Sequence, residues 1–336
     1  MRTRRGLALL LAAALGAGAA RGATAAAGDA ADTVPPRNVV LLVPDGCGPA
    51  AIALARLVTE RPLALDSILA GAIRTRSASS RVTDSAAGGS AMATGSRVAN
   101  GALATDADGR PLGNLVEAAA ARGLATGVVT TASVTDATPA AFTAHLADRH
   151  REDEIAAQQL AQLRAGRPRL LFGGGRRRFQ PRAQGGTRAD GRDLLAEARR
   201  AGIDVALTRA DLAAAGRVPV LGLFAGDALD LELDRDPAAQ PSLTDMTEAA
   251  LRRLAPAPAA AAEGAPGFLL VVEGARGDDA AHDHDPAALA REVEAFDRAL
   301  AAVLAFARRD GRTLVVVAPD HETGGLALGR RTGGVS

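Results

Sequence analysis

Between Asn38 and Pro44 the chain reads Asn-Val-Val-Leu-Leu-Val-Pro, an apolar run of strand length. It lacks the alternation of a half-exposed strand, so both of its faces must be covered. Runs of the same kind recur at 125–130, 169–172, 218–223, 268–272 and 313–317. The intervening segments 115–122, 152–163, 194–201, 243–254 and 286–309 carry helical patterns instead. In the last of these Leu289, Val293, Phe296, Leu300 and Leu304 fall on one helical face, and Pro286 suits a first turn. Strands alternating with helices predict an α/β fold with a mainly parallel sheet covered on both sides. Two stretches break the pattern, 173–192 rich in Gly and Arg and 255–266 rich in Ala and Pro. Both read as surface loops or linkers without a core of their own. No internal repeat is evident, and one domain is expected, because the polar residues described below follow several different strands along the whole chain.

Composition narrows the function. Of the 336 residues 48% are hydrophobic, enough for a large buried core, yet there is no Trp or Tyr and there are seven Phe, so that core must be aliphatic. Stacking on nucleic-acid bases is correspondingly disfavoured. All 39 cationic residues are Arg and 38 acids balance them to +1, so no global field points to nucleic acid or a membrane surface. Residues 1–25 have the order of a secretory leader: Arg2, Arg4 and Arg5, then an apolar run from Leu7, then small residues with Ala23-Thr24-Ala25 as a cleavage site. That run falls short of the roughly 20 residues that span a bilayer, so export without a permanent membrane anchor is expected, to the periplasm or the outside. Thr3 to Leu7 also resembles a loose twin-arginine signal. The mature domain is then 26–336. Its single Cys47 excludes an internal disulfide, leaving core and metal to stabilise the fold.

In an open parallel sheet ligands collect beyond the carboxyl ends of the strands. Asp45 follows the first strand, Asp136 and Thr138 the second, Glu273 the run at 268–272, and Asp320 with His321 the last. One acid after a strand is ordinarily a cap or turn residue, but four such places in one chain are harder to explain that way. Asp278 and His282 stand four apart, which in a helical turn puts carboxylate and imidazole on one face. Alone such a pair is more often a salt bridge or cap, but with Glu273, Asp320 and His321 the balance moves to a donor pair for zinc. Thr83-Asp84-Ser85-Ala86-Ala87-Gly88-Gly89 has small residues that let a helix start close to other backbone, with Ser85 at the N-terminus, where N–H groups favour phosphate. Such a serine is usually an N-cap; a divalent metal is one of the routes by which it becomes a nucleophile.

These residues resemble, in order, the motifs of the alkaline phosphatases: Val43-Pro44-Asp45-Gly46, Thr83 to Ala87, Thr135-Asp136-Ala137-Thr138-Pro139-Ala140-Ala141, Glu273 to His282, and Pro319-Asp320-His321-Glu322-Thr323-Gly324-Gly325. The resemblance implies a three-layer α/β/α sandwich that hydrolyses phosphate monoesters through a phosphoserine, with two Zn2+ and one Mg2+. It implies small phosphorylated substrates and allows a homodimer. Carried over by position, Ser85 is similar to the nucleophile, and Asp45, Asp320 and His321 to the ligands of the zinc that activates it. Asp278 and His282 then resemble ligands of the leaving-group zinc. Asp136, Thr138 and Glu273, with Asp45 as a bridge, resemble the magnesium surroundings. Arg149, otherwise one solvated arginine among many, resembles the residue that grips phosphate in a planar fork.

Two departures accompany the resemblance. Asp279 stands where the family commonly has Lys, His or Trp, and an added carboxylate there should weaken anion binding or strengthen metal retention. The family also supplies a third histidine to the leaving-group zinc from a later strand, and none follows His321 here. The expectation is a chain that ends before its metal site is complete, with a divergent complete site as the alternative. His145 and His150 flank Arg149, and His284 is two residues beyond His282; none is an obvious substitute.

Overall fold

Each apolar run becomes a strand because covering layers remove both of its faces from water. The computed structural model describes residues 35–329 except 60, 217 and 256–265. The leader at 1–25, most of the Ala/Pro-rich stretch and the terminal Gly333 to Ser336 therefore lie outside the described residues. Seven strands form one sheet: β1 Asn38–Pro44, β2 Ala125–Ser133, β3 Leu170–Gly174, β4 Asp204–Ala206, β5 Val220–Leu223, β6 Phe268–Gly274 and β7 Thr313–Val317. Their order is β4-β5-β3-β2-β6-β1-β7, and every pairing is parallel. Six of the seven are the runs read from sequence. The seventh, β4, is three residues long at the edge of the sheet and begins with an exposed Asp204, so it leaves no apolar run to detect.

Successive residues of a strand point to opposite faces, and the two cores follow that rule. On one face Val39, Leu41, Val43, Val128, Leu171, Leu269 and Val271 meet the helices α3 Leu115–Ala120, α5 Glu152–Arg164 and α6 Leu194–Arg200. On the other, Val40, Leu42, Val129, Leu170, Phe172, Leu270 and Val272 meet α8 Leu243–Leu254 and α10 Pro286–Asp310. The result is a three-layer α/β/α sandwich. Each fully buried Val or Leu contributes about 1.5–3 kcal/mol relative to exposure. In α10 the five residues expected on one face are all buried, Asp285 caps the start by accepting from the Ala287 and Ala288 N–H groups, and Gly311 ends it at φ 67°. The remaining helices are α1 Pro49–Thr59, α2 Ser85–Thr94, α4 Ala137–Ala141, α7 Arg209–Ala214 and α9 Arg276–His282.

One expectation is corrected. The stretch 173–192 is not an excursion without a core. Gly173 and Gly174 complete β3, and Phe179 is fully buried in the cluster that holds Leu160, Leu163 and Leu194. Arg188 is also buried, because its guanidinium donates to the Asp153 carbonyl at 2.6 Å and pairs with Asp190. Composition misled here: the many Gly and Arg hide one anchoring aromatic. Phe179→Ala should therefore destabilise the protein by about 3–5 kcal/mol in urea unfolding. A loss below about 1 kcal/mol would return Phe179 to an ordinary surface loop.

Candidate active site

The sheet order β2-β6-β1-β7 sets the carboxyl ends of four parallel strands side by side. Glu273 is in register with Val43 of β1 on one side and Thr130 of β2 on the other. Asp45 immediately follows β1, Asp136 follows β2, and Asp320 with His321 follows β7. The four places that read as strand ends in the sequence thus share one edge of the fold. The Thr130 hydroxyl donates to Glu273 Oε2.

Glycines allow the surrounding backbone to close on this edge. Gly46 has φ 65°, a conformation glycine adopts freely, and a Cβ there would lie 2.5 Å from Asp278 Oδ1. Its N–H donates to Asp320 Oδ1 at 3.3 Å, and its carbonyl accepts from the Thr323 N–H at 3.1 Å. In α2 the N-cap Asp84 accepts from the Ala87 N–H at 2.9 Å, which leaves Ser85 as the buried first helical residue. A Cβ on Gly88 would lie 2.7 Å from the Asp320 carbonyl oxygen, so only a residue without one lets the helix seat there.

Oxygen donors converge on one nitrogen. Nε2 of His321 is 3.0 Å from Ser85 Oγ, 3.5 Å from Asp45 Oδ1 and 3.4 Å from Asp320 Oδ2. Two donors held at about 2.0–2.1 Å by one tetrahedral zinc stand about 3.3 Å apart, so these separations fit a shared ion. Asp45 Oδ1, Asp320 Oδ2 and Thr138 Oγ1 are buried without a hydrogen-bond partner, which a cation would remedy. Burial holds Asp45 well above the usual carboxylate range, and the Asp320 charge adds to it. Burial likewise raises Asp320, and it pushes Glu273 up to about 8 against the opposing Thr130 hydroxyl.

A second set lies across Gly46. Asp278 and His282, on α9, bring Oδ2 and Nε2 to 3.5 Å, with the Asp278 side chain mostly covered and that of His282 68% exposed. Asp136 caps α4, donating no bond but accepting from the Ala137 N–H at 2.6 Å, and Thr138 follows on the same helix. Arg149 is not a freely solvated arginine. Its side chain is 22% exposed, with Nη2 donating to Asp136 Oδ1 at 2.7 Å and Nη1 3.5 Å from Asp84 Oδ2. A cleft of about 390 Å3 opens beside it, lined among others by His150, Glu152 and Arg178. His145 is structural: its ring nitrogens contact the Ala104 carbonyl at 3.0 Å and Glu117 Oε1 at 3.1 Å. His284 is exposed and has φ 55°. Asp279 does not stand as a free charge, since Arg276 Nη1 donates to it at 2.6 Å. The sequence reading missed Thr323, whose hydroxyl contacts Asp278 Oδ1 at 2.5 Å and His321 Nδ1 at 3.0 Å. It lies inside the Pro319 to Gly325 motif, two residues after His321, but nothing in that position by itself distinguishes it from a turn residue.

The sequence model of the family described as alkaline phosphatase matches residues 36–335. The chain is similar to the repressible alkaline phosphatase of Saccharomyces cerevisiae, 42% identical over 88% of this chain and 56% of that protein. It is similar to the streptomycin-6-phosphate phosphatase of Streptomyces griseus, 42% identical over 85% of this chain and 74% of that one. Among solved structures it resembles the Thermus thermophilus alkaline phosphatase, with a TM-score of 0.78, 38% identity, and coverage of 86% of this chain and 60% of that chain. The chain thus spans 56% of the length of the yeast relative.

A carboxyl group with a higher pKa in the folded than in the unfolded chain binds more protons when folded. For Glu273 the stability that protonation gives is full below its ordinary value of 4.5 and is lost as pH rises towards about 8. Metal-stripped protein should therefore melt at progressively lower temperature between about pH 5 and 8, and Glu273→Gln should flatten that slope. Adding a divalent cation that occupies this cluster should remove it as well. A melting temperature of stripped wild type that rises through this window would contradict the assignment of Glu273 as an uncompensated buried acid.

Proposed function

The chain belongs to the alkaline phosphatase family, and we propose on that premise that it hydrolyses phosphate monoesters through a phosphoserine at Ser85. The observation that carries the reading is the convergence of Ser85 Oγ, Asp45 and Asp320 on a single nitrogen of His321. In a Ser-His-Asp triad the carboxylate binds the imidazole nitrogen opposite the serine. Here both carboxylates crowd the serine's own side, which supports metal ligation over a relay.

Asp45, Asp320 and His321 would hold one Zn2+, and Asp278 with His282 a second. Asp136, Thr138 and Glu273, joined by Asp45, are an all-oxygen set suited to Mg2+. Bound there, these ions would supply Lewis-acid stabilisation of developing negative charge and favour the ionised serine. The chain's own residues do the rest. Ser85 Oγ forms a bond to phosphorus as the ester P–O bond breaks and the alcohol leaves. Water then forms the new P–O bond as the Ser85 Oγ–P bond breaks, releasing phosphate. The N-terminus of α2 would direct its free N–H groups at the phosphoryl oxygens. Arg149 would grip two of those oxygens, and Asp84 and Asp136 orient its fork beforehand. With two oxygens gripped by Arg149 and a third facing the metal-ligand side chains, all three non-bridging oxygens of a monoester would be used, and a diester has one of these three esterified. A secretory leader at 1–25 would put the reaction outside the cytoplasm.

With Zn2+ and Mg2+ supplied, wild type should hydrolyse p-nitrophenyl phosphate far faster than bis(p-nitrophenyl) phosphate. Ser85→Ala should lower the monoester rate by roughly a thousandfold or more while retaining bound metal. Comparable rates of the alanine variant and wild type would remove Ser85 from the mechanism, and a preference for the diester would change the substrate class. Arg149→Ala should weaken inhibition by inorganic phosphate about 10- to 100-fold, the loss of a charged hydrogen-bonded pair. Unchanged phosphate inhibition with a large loss of thermal stability would make Arg149 a structural brace between Asp84 and Asp136.

A further inference from the structure

Resting on the reading of Asp278, His282 and His321 as zinc ligands, we infer that Thr323 is a positioning residue whose hydroxyl ties the two zinc ligand sets together. Thr323 is anchored by its N–H to the Gly46 carbonyl at 3.1 Å. Its Oγ1 lies 2.5 Å from Asp278 Oδ1 and 3.0 Å from His321 Nδ1. A carboxylate accepts and does not donate, so the hydroxyl hydrogen goes to Asp278. The same oxygen must then accept from His321, which puts a hydrogen on Nδ1. The Glu322 carbonyl, 3.3 Å from that nitrogen, makes the same demand, because a carbonyl can only accept.

Both consequences concern ligand atoms. A neutral imidazole with its hydrogen on Nδ1 presents a bare Nε2, and Nε2 is the atom on which Ser85, Asp45 and Asp320 converge. On the other side, engagement of Asp278 Oδ1 leaves Oδ2 as the free oxygen, and Oδ2 is the one 3.5 Å from His282 Nε2. One hydroxyl therefore fixes which nitrogen His321 offers and which oxygen Asp278 offers. Hydrogen-bond partners of metal ligands commonly change metal affinity by about 10- to 100-fold when removed. Here a single removal should be felt at both sites.

The test uses the full chain, stripped of metal and titrated with Zn2+ against a competing chelator. Thr323→Val keeps the shape and loses the hydroxyl; Thr323→Ser keeps the hydroxyl. The valine variant should lose about 10- to 100-fold in affinity at each zinc site that wild type fills while the metal-free protein still unfolds cooperatively, and serine should restore it. Wild-type affinity in the valine variant, serine as weak as valine, or no zinc uptake by wild type would each overturn the inference. 15N NMR of histidine-labelled wild type gives an independent reading should the valine variant fail to fold. His321, where neutral, should carry its hydrogen on Nδ1, and a hydrogen on Nε2 would overturn the inference. Absence of p-nitrophenyl phosphate turnover by zinc-loaded wild type would defeat the phosphatase reading while leaving the zinc and NMR results to stand by themselves.

Discussion

Repulsion among buried carboxylates is the constraint around which this structure is arranged. Asp45, Glu273 and Asp320 are each buried at the ends of neighbouring strands, and each is raised by that burial. Like charges in a poorly solvated place cost several kcal/mol unless a cation or a proton compensates them. The protein supplies little compensation: a backbone N–H from Gly46 and the N–H of His321 to Asp320, and a hydroxyl from Thr130 to Glu273. Arg149 is close enough to feel Asp45, but its fork is already held by Asp136 and Asp84. Such a fold is built to receive positive charge from outside the chain.

Keeping those acids close requires that nothing bulky stand between them. Gly46 places β1, α9 and the loop after β7 within hydrogen-bonding reach, and Gly88 brings the start of α2 against the Asp320 backbone. The rest of the molecule is an aliphatic frame for this arrangement. Its strands are buried on both faces, so the register that aligns Val43, Glu273 and Thr130 is enforced by two separate cores.

The frame and the donors were legible because each had a local cause. Buried parallel strands must be continuous apolar runs, and residues that act together in such a sheet must follow strand ends, so Asp45, Asp136, Glu273 and Asp320 could be found one at a time. What escaped depends on partners distant in the chain. The environment of Arg149 is set by Asp84, 65 positions away, as well as by Asp136. Thr323 has its meaning from Asp278, 45 positions away, and Phe179 from helices on either side of its own glycine-rich segment. β4 is stabilised by one neighbour, β5, and not by any hydrophobic pattern of its own.

Asp279 shows why the sign of a charge has to be counted together with its neighbour. Taken alone, it adds a carboxylate beside Asp278 and should weaken anion binding or strengthen metal retention. Three residues earlier on the same helix, Arg276 donates to it at 2.6 Å, a separation that places the two side chains on one face. Opposite charges in contact act at a distance as a dipole, so the pair offsets much of the charge Asp279 adds. Burial raises Asp279, and the Arg276 guanidinium beside it opposes that rise. The sequence therefore carries the acid and its cationic neighbour together, as Arg276-Gly277-Asp278-Asp279, and Asp278 between them keeps its own oxygens for Thr323 and His282.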